Sequence, residues 1–397
     1  MSAAQPIPGS LYSTRETMRA AVLVGVGRME LRDVPVVAPG PHEVLVRMQA
    51  VGLCGTDLQI VAGHANYNCD TSGRALPLAA HPQILGHEIA GVVSETGAQV
   101  HDLSVGDRVV VDQGRSCVSE ARQPLCEYCG TGHSHQCEHY REHGIMGLPG
   151  GFAEFVTVPA VNAVRVTSSL AAECAALTEP LGCVLHAMEM VTNAGSRYGL
   201  RPGRGGQPVR TIMICGGGPA GLLFVQYLRK VIKFDGVVLV SEPNAKKRAL
   251  AERFGGEAID PGAGNLVEEV ARRTNGRRVE LLIEASGSGA VFEAIPGLIR
   301  KQATVLLYGH GHSGVELSVL NHVQFLEPTL VAPAGASGGH DTDGRPLTYR
   351  RALRLIEEGV VDVASLITHR YLSLDEVPQA FGGDHRQPGY VKGVVTL

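Results

Sequence analysis

Two groups of residues in this sequence have the types and spacing of metal ligands. The twelve residues CEYCGTGHSHQC, from Cys126 to Cys137, contain three cysteines and two histidines. At this spacing they can form a disulfide staple, a catalytic metal site or a metal clip that shapes a loop. A separate group consists of Cys54 in GLCGTD and of His87 and Glu88 in LGHEIAG. A thiolate together with an imidazole suits zinc, and a catalytic zinc needs three protein ligands and one open position.

Composition and cysteine usage favour metal ligation over disulfides. The chain has 397 residues, of which 44% are hydrophobic and 19% charged, as expected of a globular protein with two domains. Its formal net charge is −4 and its pI is about 6.5, so neither nucleic acid nor an anionic membrane is an expected partner. The N-terminal residues lack a secretory pattern and no apolar run has membrane-spanning length, which predicts a cytoplasmic protein. Since thiols stay reduced in the cytoplasm, we expect the cysteines with ligand spacing to bind metal rather than to form disulfides. Cys69, Cys174, Cys183 and Cys215 lack such spacing, and we expect them to be small buried hydrophobic residues.

The elements that must position these residues change in type along the chain. The first third contains short alternating runs such as EVLVRMQAVG and predicts a β-rich domain; in this run Val44, Val46, Met48 and Ala50 are expected to share one face. From about Leu181, helical segments alternate with the apolar runs TIMICGGG, GVVLVSEP, VELLIEASG and ATVLLYGHG. Such runs suit parallel strands buried on both faces and predict a doubly wound α/β domain. After a loop at 334–346, a helical pattern and the run YVKGVVTL predict a tail that returns to the first domain.

A glycine-rich turn in the second region predicts a dinucleotide site. Gly216, Gly218 and Gly221 form G-x-G-x-x-G directly after an apolar strand and at the start of a helical segment. The first glycine permits the tight turn, the second lets the backbone approach a pyrophosphate, and the third allows close helix packing. The predicted contacts in this turn are Gly216, Gly218, Pro219, Ala220 and Gly221.

An acidic residue after the next strand favours NAD over NADP. Glu242 ends the run VVLVSEP, where a carboxylate would accept hydrogen bonds from a ribose diol and repel a 2′-phosphate. Three basic residues follow, Lys246, Lys247 and Arg248, and basic side chains can accommodate that phosphate. A lysine beside the adenosine ribose is also compatible with NAD, so we predict NAD and include Lys247 among the cofactor contacts.

The segment GHEIAGVVSETGAQV resembles the signature of zinc-dependent alcohol dehydrogenases in the medium-chain dehydrogenase/reductase family. Its residues 86–88, Gly91, Gly97 and Val100 fall at the positions of that signature. The segments PGPHEVLVRMQAVGLCGTD, VGDRVVV, the glycine-rich turn and LITHRYLSLDEVPQAF also occur in the order of the family, so the resemblance covers nearly the whole chain. The segments GGFAEF and LTEPLGCVLHA look closest to the polyol and threonine dehydrogenase branch.

The resemblance implies an α/β fold with zinc in a cleft between two domains. The first would be a GroES-like β-rich catalytic domain over residues 1–180, completed by 336–397. The second would be a Rossmann domain with a doubly wound parallel sheet over 181–335, which binds NAD. Arg370, in the segment LITHRYLSL, is a further implied cofactor contact.

Residue by residue, the resemblance implies a catalytic zinc bound by Cys54 and His87. Glu88 and Glu179 would supply its carboxylates, one as a ligand and the other nearby or in exchange with it. Asp57 would orient His87 by accepting a hydrogen bond from its ring. Cys174 and Cys183 are then not expected to bind the metal.

The resemblance also implies a route for the hydroxyl proton of an alcohol substrate. Thr56 would take this proton and pass it outward. Relatives often have a histidine at the position of Gln59, and glutamine cannot titrate. His64 or water are the alternatives for the outer end of this route.

In the family, a lobe with the pattern C-x2-C-x2-C-x7-C binds a second, structural zinc. Cys126, Cys129 and Cys137 match its last three positions, whereas Gln123 stands at the first and offers no thiolate. Cys117, nine residues before Cys126, can close the tetrahedron if the residues between form a loop insertion. The segment from Cys126 to Cys137 is therefore expected to be a zinc clip. His133 and His135 are alternative fourth ligands, and reduced cysteines without metal are the remaining alternative.

The implied activity is hydride transfer from a secondary alcohol, such as a polyol or an amino alcohol, to NAD. Zinc would favour ionisation of the hydroxyl group. Two other readings stay open: a zinc-free quinone or enoyl reductase of the same superfamily, and a noncatalytic nucleotide-binding sensor. The expected partners are a small-molecule alcohol and further copies of the chain, in a homotetramer or dimer.

Overall fold

The computed structural model describes residues 16–200 and 206–397. Residues 1–15, which include most of the N-terminal segment considered above, lie outside the described residues. Nowhere in the described ranges is a helix long and apolar enough to cross a membrane.

The N-terminal part is mostly strands. Its elements are β1 (Thr17–Gly25), β2 (Arg28–Pro35), β3 (Glu43–Gly52), α1 (Gly55–Val61), β4 (Gln83–Ile84), β5 (Glu88–Thr96), β6 (Arg108–Val111), β7 (Gly114–Arg115), α2 (Glu127–Gly130), β8 (Arg141–Glu142), β9 (Phe155–Pro159), β10 (Ala163–Arg165) and α3 (Ala172–Ala176). Strands β2, β1 and β4 form a small sheet in that order, and β7 pairs with β8 at the base of the cysteine-rich lobe.

The central part contains a six-stranded sheet. Its elements are α4 (Thr178–Asn193), β11 (Tyr198–Gly199), β12 (Gln207–Pro208), β13 (Thr211–Cys215), α5 (Pro219–Gln226), β14 (Val237–Ser241), α6 (Ala245–Arg253), β15 (Glu257–Ile259), α7 (Leu266–Arg273), β16 (Val279–Glu284), α8 (Gly289–Leu298), β17 (Ile299–Leu307), α9 (Val319–Gln324) and β18 (Thr329–Val331). The strand order is β15-β14-β13-β16-β17-β18 and every pair is parallel, which is the doubly wound Rossmann arrangement that the apolar runs predicted.

The C-terminal part returns to the first sheet. It comprises α10 (Leu347–Glu357), β19 (Ile367–Tyr371), α11 (Val377–Gly382) and β20 (Lys392–Thr396). Strand β20 pairs antiparallel with β3 inside a sheet of order β10-β6-β5-β3-β20-β19, in which β9 also pairs with β3. The last residues therefore complete the N-terminal sheet, as the run YVKGVVTL predicted. The limits 1–180, 181–335 and 336–397 stay predictions.

Strand β3 is the centre of the N-terminal core. Val44, Val46 and Met48 are buried on one face, as the alternation predicted. The prediction was wrong for Ala50, because a register shift between Met48 and Ala50 turns Val51 to this face instead. Leu45 and Ala50 are buried among other apolar side chains, so the sheet is covered on both sides. This rigid strand ends at Gly52, two residues before Cys54.

Candidate metal and nucleotide sites

Asp57 holds together the two segments that carry Cys54 and His87. Cys54 immediately precedes α1, and its backbone N–H donates to Asp57 Oδ2 at 2.9 Å. The other carboxylate oxygen lies 3.4 Å from His87 Nδ1, and both side chains are buried. A carboxylate behind the imidazole fixes the ring so that its other nitrogen can face a metal.

Strand pairing brings Glu88 to the same place. Gly52 of β3 lies opposite Glu88 of β5, and a Cβ on this glycine would lie 1.9 Å from Glu88 Oε2. A side chain at position 52 would therefore displace the carboxylate. Ligand atoms of Cys54, His87 and Glu88 all lie within 4.8 Å of one another. We call these three residues the cleft cluster.

A buried lysine pairs with the cleft cluster. Lys392 Nζ, at the start of β20, lies 2.5 Å from Glu88 Oε1 and donates to the carbonyl oxygen of Leu53 at 2.8 Å. The side chains of Lys392 and Glu88 are 3% and 0% exposed. Within the described residues, Glu88 Oε2 has no hydrogen-bond partner. A buried carboxylate oxygen without a partner is costly, and a cation between it, the thiol and the imidazole would remove that cost, so the donors fit zinc.

The charges of the cleft cluster act on one another. Burial lowers the pKa of His87, but the negative charges of Asp57 and Cys54 outweigh this and raise the pKa well above its usual value. Burial likewise lowers the pKa of Lys392, and Glu88 and Cys54 raise it above the ordinary lysine value. The pocket thus favours positive charge, as a metal site must.

Glu179 lies beside this cluster, in the first turn of α4. Its Oε1 accepts hydrogen bonds from Gln113 Nε2 and from the Cys183 thiol, each at 3.1 Å. Burial and the charge of Glu88 raise the pKa of Glu179, while His87 lowers it. The carboxylate is thus an electrostatic neighbour of the cleft cluster but not one of the three residues within 4.8 Å.

The remaining cysteines have different environments. Cys174 and Cys215 are buried as predicted. Cys183 is buried too, although its thiol hydrogen-bonds to Glu179 and so does more than pack. The prediction of burial was wrong for Cys69, which is exposed. It lies in a loop held by hydrogen bonds between polar groups, and its thiol is 3.8 Å from the carbonyl oxygen of Asn66.

Thr56 and Gln59 lie on α1 at the edge of the cluster. Thr56 Oγ1 is 3.8 Å from Cys54 Sγ and is partly exposed. Gln59 Oε1 is 3.1 Å from Nδ1 of His64, and His64 is exposed. His64, one alternative for the outer end of the proton route, thus contacts Gln59, at the position where relatives often have a histidine.

Four thiols form a second cluster in the lobe. Sulfur atoms of Cys117, Cys126, Cys129 and Cys137 all lie within 4.8 Å of one another, and we call these residues the lobe cluster. The sulfurs of Cys117 and Cys126 lie 3.6 and 3.9 Å from that of Cys137. Four sulfurs about 2.3 Å from a tetrahedral zinc would be about 3.8 Å apart, so the donors fit zinc. Backbone N–H groups of Cys129 and Glu138 lower the pKa of the Cys126 thiol to about 6, which favours a thiolate.

The other candidates for the fourth lobe ligand lie elsewhere. Residues 118–125 loop out, with Arg122 N–H bonded to the carbonyl of Cys117, so Cys117 takes the place that Gln123 cannot fill. His135 is buried, but its Nε2 is 3.2 Å from Asp112 Oδ1 and its backbone N–H donates to Ser337. His133 is exposed. All nine cysteines lie in the described residues, and none forms a disulfide.

The glycine-rich turn has room for a pyrophosphate. Gly216 adopts φ +105°, which other residues rarely do, and a Cβ on Gly221 would lie 1.9 Å from the carbonyl oxygen of Gly216. A Cβ on Gly218, by contrast, would meet nothing within 4 Å. Gly218 is the N-cap of α5 and Pro219 its first residue, followed by Ala220, so the open space lies in front of free backbone N–H groups.

Glu242 closes the far side of this turn. Its Oε2 accepts from Gly217 N–H at 2.8 Å and its Oε1 from Asn244 N–H at 2.8 Å. Arg248 donates to the carbonyls of Glu242 and Pro243 and pairs with Asp260 at 2.8 Å. Arg248 is therefore already engaged in holding the turn.

Two further predicted cofactor residues stay predictions. Lys247 lies in the first turn of α6, and its backbone N–H is capped by Asn244 Oδ1. Arg370 lies on β19, where its Nε is 3.4 Å from Glu173 Oε1.

Sequence reasoning missed Lys392, Gln113 and Tyr349. Lys392 is the one charged residue in the apolar run YVKGVVTL, and a charge inside a predicted core strand is a signal of a buried partner. Gln113 and Tyr349 gave no such signal, because Gln113 bonds to Glu179, and Tyr349 to Gln113, only through contacts between distant parts of the chain.

Known proteins resemble this chain over most of its length. The family model of the alcohol dehydrogenase GroES-like domain matches residues 40–168, and that of the zinc-binding dehydrogenases matches 219–358. The chain is 33% identical over 355 residues to the L-threonine 3-dehydrogenase of Pyrococcus abyssi, covering 89% of this chain and 90% of that one. The chain belongs to the zinc-type medium-chain alcohol dehydrogenase family. The predicted GroES-like and Rossmann fold is confirmed, and the protein is an oxidoreductase that acts on CH–OH groups.

Two other similarities extend over nearly the full length of this medium-chain dehydrogenase. The sorbitol dehydrogenase of Arabidopsis thaliana is 26% identical over 395 residues, which cover 98% of each chain. A solved structure of a protein from Sinorhizobium meliloti 1021 with bound NADP matches with a TM-score of 0.76 at 30% identity, covering 96% of this chain and 100% of that one.

Proposed function

We propose that this chain oxidises a secondary alcohol to a ketone with NAD, using zinc held by Cys54, His87 and a carboxylate. The observation that carries the proposal is the cleft cluster with its unpartnered Glu88 oxygen. The sorbitol and L-threonine 3-dehydrogenases among its relatives favour a polyol or an amino alcohol as the substrate.

The residues of the cleft have different roles in this oxidation. The reaction removes two hydrogens: one leaves the carbinol carbon with its electron pair for the nicotinamide ring, and the hydroxyl hydrogen leaves as a proton. Zinc would supply Lewis acidity that favours loss of this proton near neutral pH. Thr56 Oγ1, which lies beside Cys54 and is partly exposed, takes this proton as it releases its own hydroxyl proton outward. His64, which contacts Gln59, or water carries this proton on to solvent.

The third zinc donor is Glu88 in this arrangement. Its Oε1 is held by Lys392 and its Oε2 is free, whereas Glu179 Oε1 is occupied by two donors. Glu179 then acts as the nearby carboxylate that can exchange with Glu88.

NAD rather than NADP is the preferred cofactor. The buried Glu242 places negative charge where a 2′-phosphate would bind, and Arg248 is committed to Asp260 and two carbonyls. The ratio of kcat/KM for NAD and NADP tests this point, and Glu242→Ala is expected to reduce the preference.

The lobe cluster holds a structural zinc. Four thiolates complete a tetrahedron and leave no open position for substrate. The free thiols of the chain also agree with a reducing compartment such as the cytoplasm.

The chain functions as a homo-oligomer, a dimer or tetramer. The edge strand β18 and the segment before it expose large apolar side chains, namely Leu317, Leu320, Phe325 and Leu330. Phe325 is 81% exposed, and exposed apolar groups beside an unpaired strand edge favour association. Light scattering of Phe325→Glu should show a smaller species than wild type, whereas Leu372→Glu, at another exposed leucine, should not.

The direct test combines metal analysis with an alcohol screen. We expect two zinc ions per chain and NADH formation with a secondary polyol or amino alcohol. Turnover of quinones or enoyl compounds without zinc in the cleft would identify a zinc-free reductase. Zinc and nucleotide binding without turnover of any substrate would identify a sensor.

A further inference from the structure

The side chain of Gln113 joins two buried carboxylates. Gln113 follows β6 and is 1% exposed. Its Nε2 donates to Glu142 Oε1 at 2.9 Å and to Glu179 Oε1 at 3.1 Å. Its Oε1 accepts a hydrogen bond from the Tyr349 hydroxyl group.

Chemistry fixes the orientation of this amide. A primary amide nitrogen has two protons, and both are directed at carboxylate oxygens that accept only. At the other end of the amide, the hydroxyl of Tyr349, on α10, donates a hydrogen bond to the oxygen. A flipped amide would place its carbonyl oxygen against Glu142 and Glu179, so the two carboxylates select the orientation in which the amide oxygen accepts from Tyr349.

The contacts of Gln113 decide how Glu179 faces the cleft. The Cys183 thiol donates to the same oxygen, Oε1, so this oxygen is held from two sides. Oε2 is the other oxygen of this carboxylate, whose charge interacts with that of His87. Without the amide, the buried carboxylates of Glu142 and Glu179 would repel each other with no donor between them, and Glu179 would lose its fixed rotation.

The same short segment is anchored to the lobe. Asp112, the residue before Gln113, pairs with the buried His135 at 3.2 Å, and the backbone carbonyl of Gln113 accepts from His143 N–H at 2.9 Å. Asn162 Nδ2 donates to the carbonyl of Asp112 at 2.8 Å. The backbone that carries the Gln113 side chain is therefore held in place on both sides.

We propose that Gln113 is a positioning residue that, together with Tyr349, sets the orientation of Glu179 toward the zinc of the cleft cluster. The inference rests on the proposed function, since it requires a zinc ion in the cleft. It adds to that function a determinant of metal affinity that lies behind the carboxylate. Outer contacts of this kind typically change metal affinity or activity by about 10–100-fold.

The test measures zinc affinity directly, by competition with a chromophoric chelator on the full-length zinc-loaded protein. Gln113→Leu keeps the approximate volume and removes both donors. Gln226→Leu is the matched control, because Gln226 is equally buried and bonded to the backbone of Asp362 at 3.0 and 2.7 Å, far from either cluster in the sequence and in the Rossmann domain. The release phase of the cleft zinc is identified with Cys54→Ser, which removes that zinc.

We expect Gln113→Leu to weaken the cleft zinc by about 10–100-fold and to leave the lobe zinc unchanged. Gln226→Leu should lower the melting temperature without changing either zinc affinity. Tyr349→Phe removes only the hydroxyl group and should weaken the cleft zinc several-fold, and this variant decides the matter if Gln113→Leu does not fold.

Two outcomes separate the inference from the function on which it rests. If Gln113→Leu or, where that does not fold, Tyr349→Phe keeps wild-type affinity for the cleft zinc and is only less stable, Gln113 is a packing residue and the inference is wrong. If the wild-type protein itself binds no zinc in the cleft, the proposed function fails first.

Discussion

The lobe cluster and the cleft cluster differ in how their donors are held. The lobe cluster consists of four sulfurs that contact one another, with separations of 3.6 and 3.9 Å among those that hydrogen-bond. The cleft cluster has three chemically different donors, and residues outside it hold two of them: Asp57 lies behind His87, and Lys392 lies behind Glu88. A closed set of equal donors suits structure, whereas a mixed set with outer supports suits chemistry.

The two clusters also differ in the groups that folding must bring together. In the lobe, folding only has to bring thiols together near a surface loop. In the cleft, an unpartnered carboxylate oxygen and a buried lysine are held where neither is stable without its counter-charge. Stability should therefore depend mainly on the lobe and turnover mainly on the cleft.

The largest expected effect is on turnover. Cys54→Ser removes the thiolate of the cleft cluster and should lower kcat/KM by at least about 10³-fold, which is about 4 kcal/mol of transition-state stabilisation. Cys69→Ser, at the exposed cysteine, is the matched control and should have wild-type kinetics. Steady-state kinetics with NAD measure both, and near-normal turnover of Cys54→Ser would remove the distinction between the clusters.

The reciprocal change in the lobe should act on stability. Cys129→Ser removes one of four thiolates, and we expect one zinc per chain instead of two and a melting temperature lower by roughly 10 °C. Calorimetry and metal analysis measure these quantities. A variant that loses the lobe zinc but melts like wild type would show that the lobe cluster is not a structural site.

Breaking the buried ion pair tests how strongly Lys392 and Glu88 are coupled in the cleft. Lys392→Met leaves the Glu88 carboxylate without its cation and should lower the free energy of unfolding by about 3 kcal/mol. Adding Glu88→Gln removes the unpaired charge and should recover most of this loss. Chemical denaturation of the single and double variants measures the coupling, and equal, additive losses would mean that the pair is not coupled.

The smallest effect concerns how the free energy of unfolding depends on pH through His143, which follows β8. Burial lowers the pKa of His143 to about 4. The unfolded chain takes up this proton near pH 6.5 and the folded chain only near pH 4, so the free energy of unfolding falls as pH is lowered between these values. His143→Asn should reduce this slope by about 1 kcal/mol per pH unit. Denaturation at several pH values measures the slope, and an unchanged slope would contradict the assignment.

The sequence predicted the residues of both clusters better than their supports. Local motifs contain Cys54, His87 and the lobe cysteines, and four strands of the Rossmann sheet, β13, β14, β16 and β17, follow from compact apolar runs. The three-residue edge strands β15 and β18 were not predicted, because they are too short to form such a run. The partners of Glu88 and Glu179 come from far along the chain: Lys392 lies 304 residues after Glu88, and Tyr349 lies 236 residues after Gln113. Only the pairing of β20 with β3 and the packing of α10 create these contacts, and no local pattern encodes them.

The most direct test of the zinc assignment is a crystal structure with NAD and an anomalous difference map at the zinc edge. We predict a peak about 2.3 Å from Cys54 Sγ and about 2.1 Å from a ring nitrogen of His87, with a second peak among the four lobe sulfurs. Active crystals with no anomalous peak between Cys54 and His87 would contradict the account.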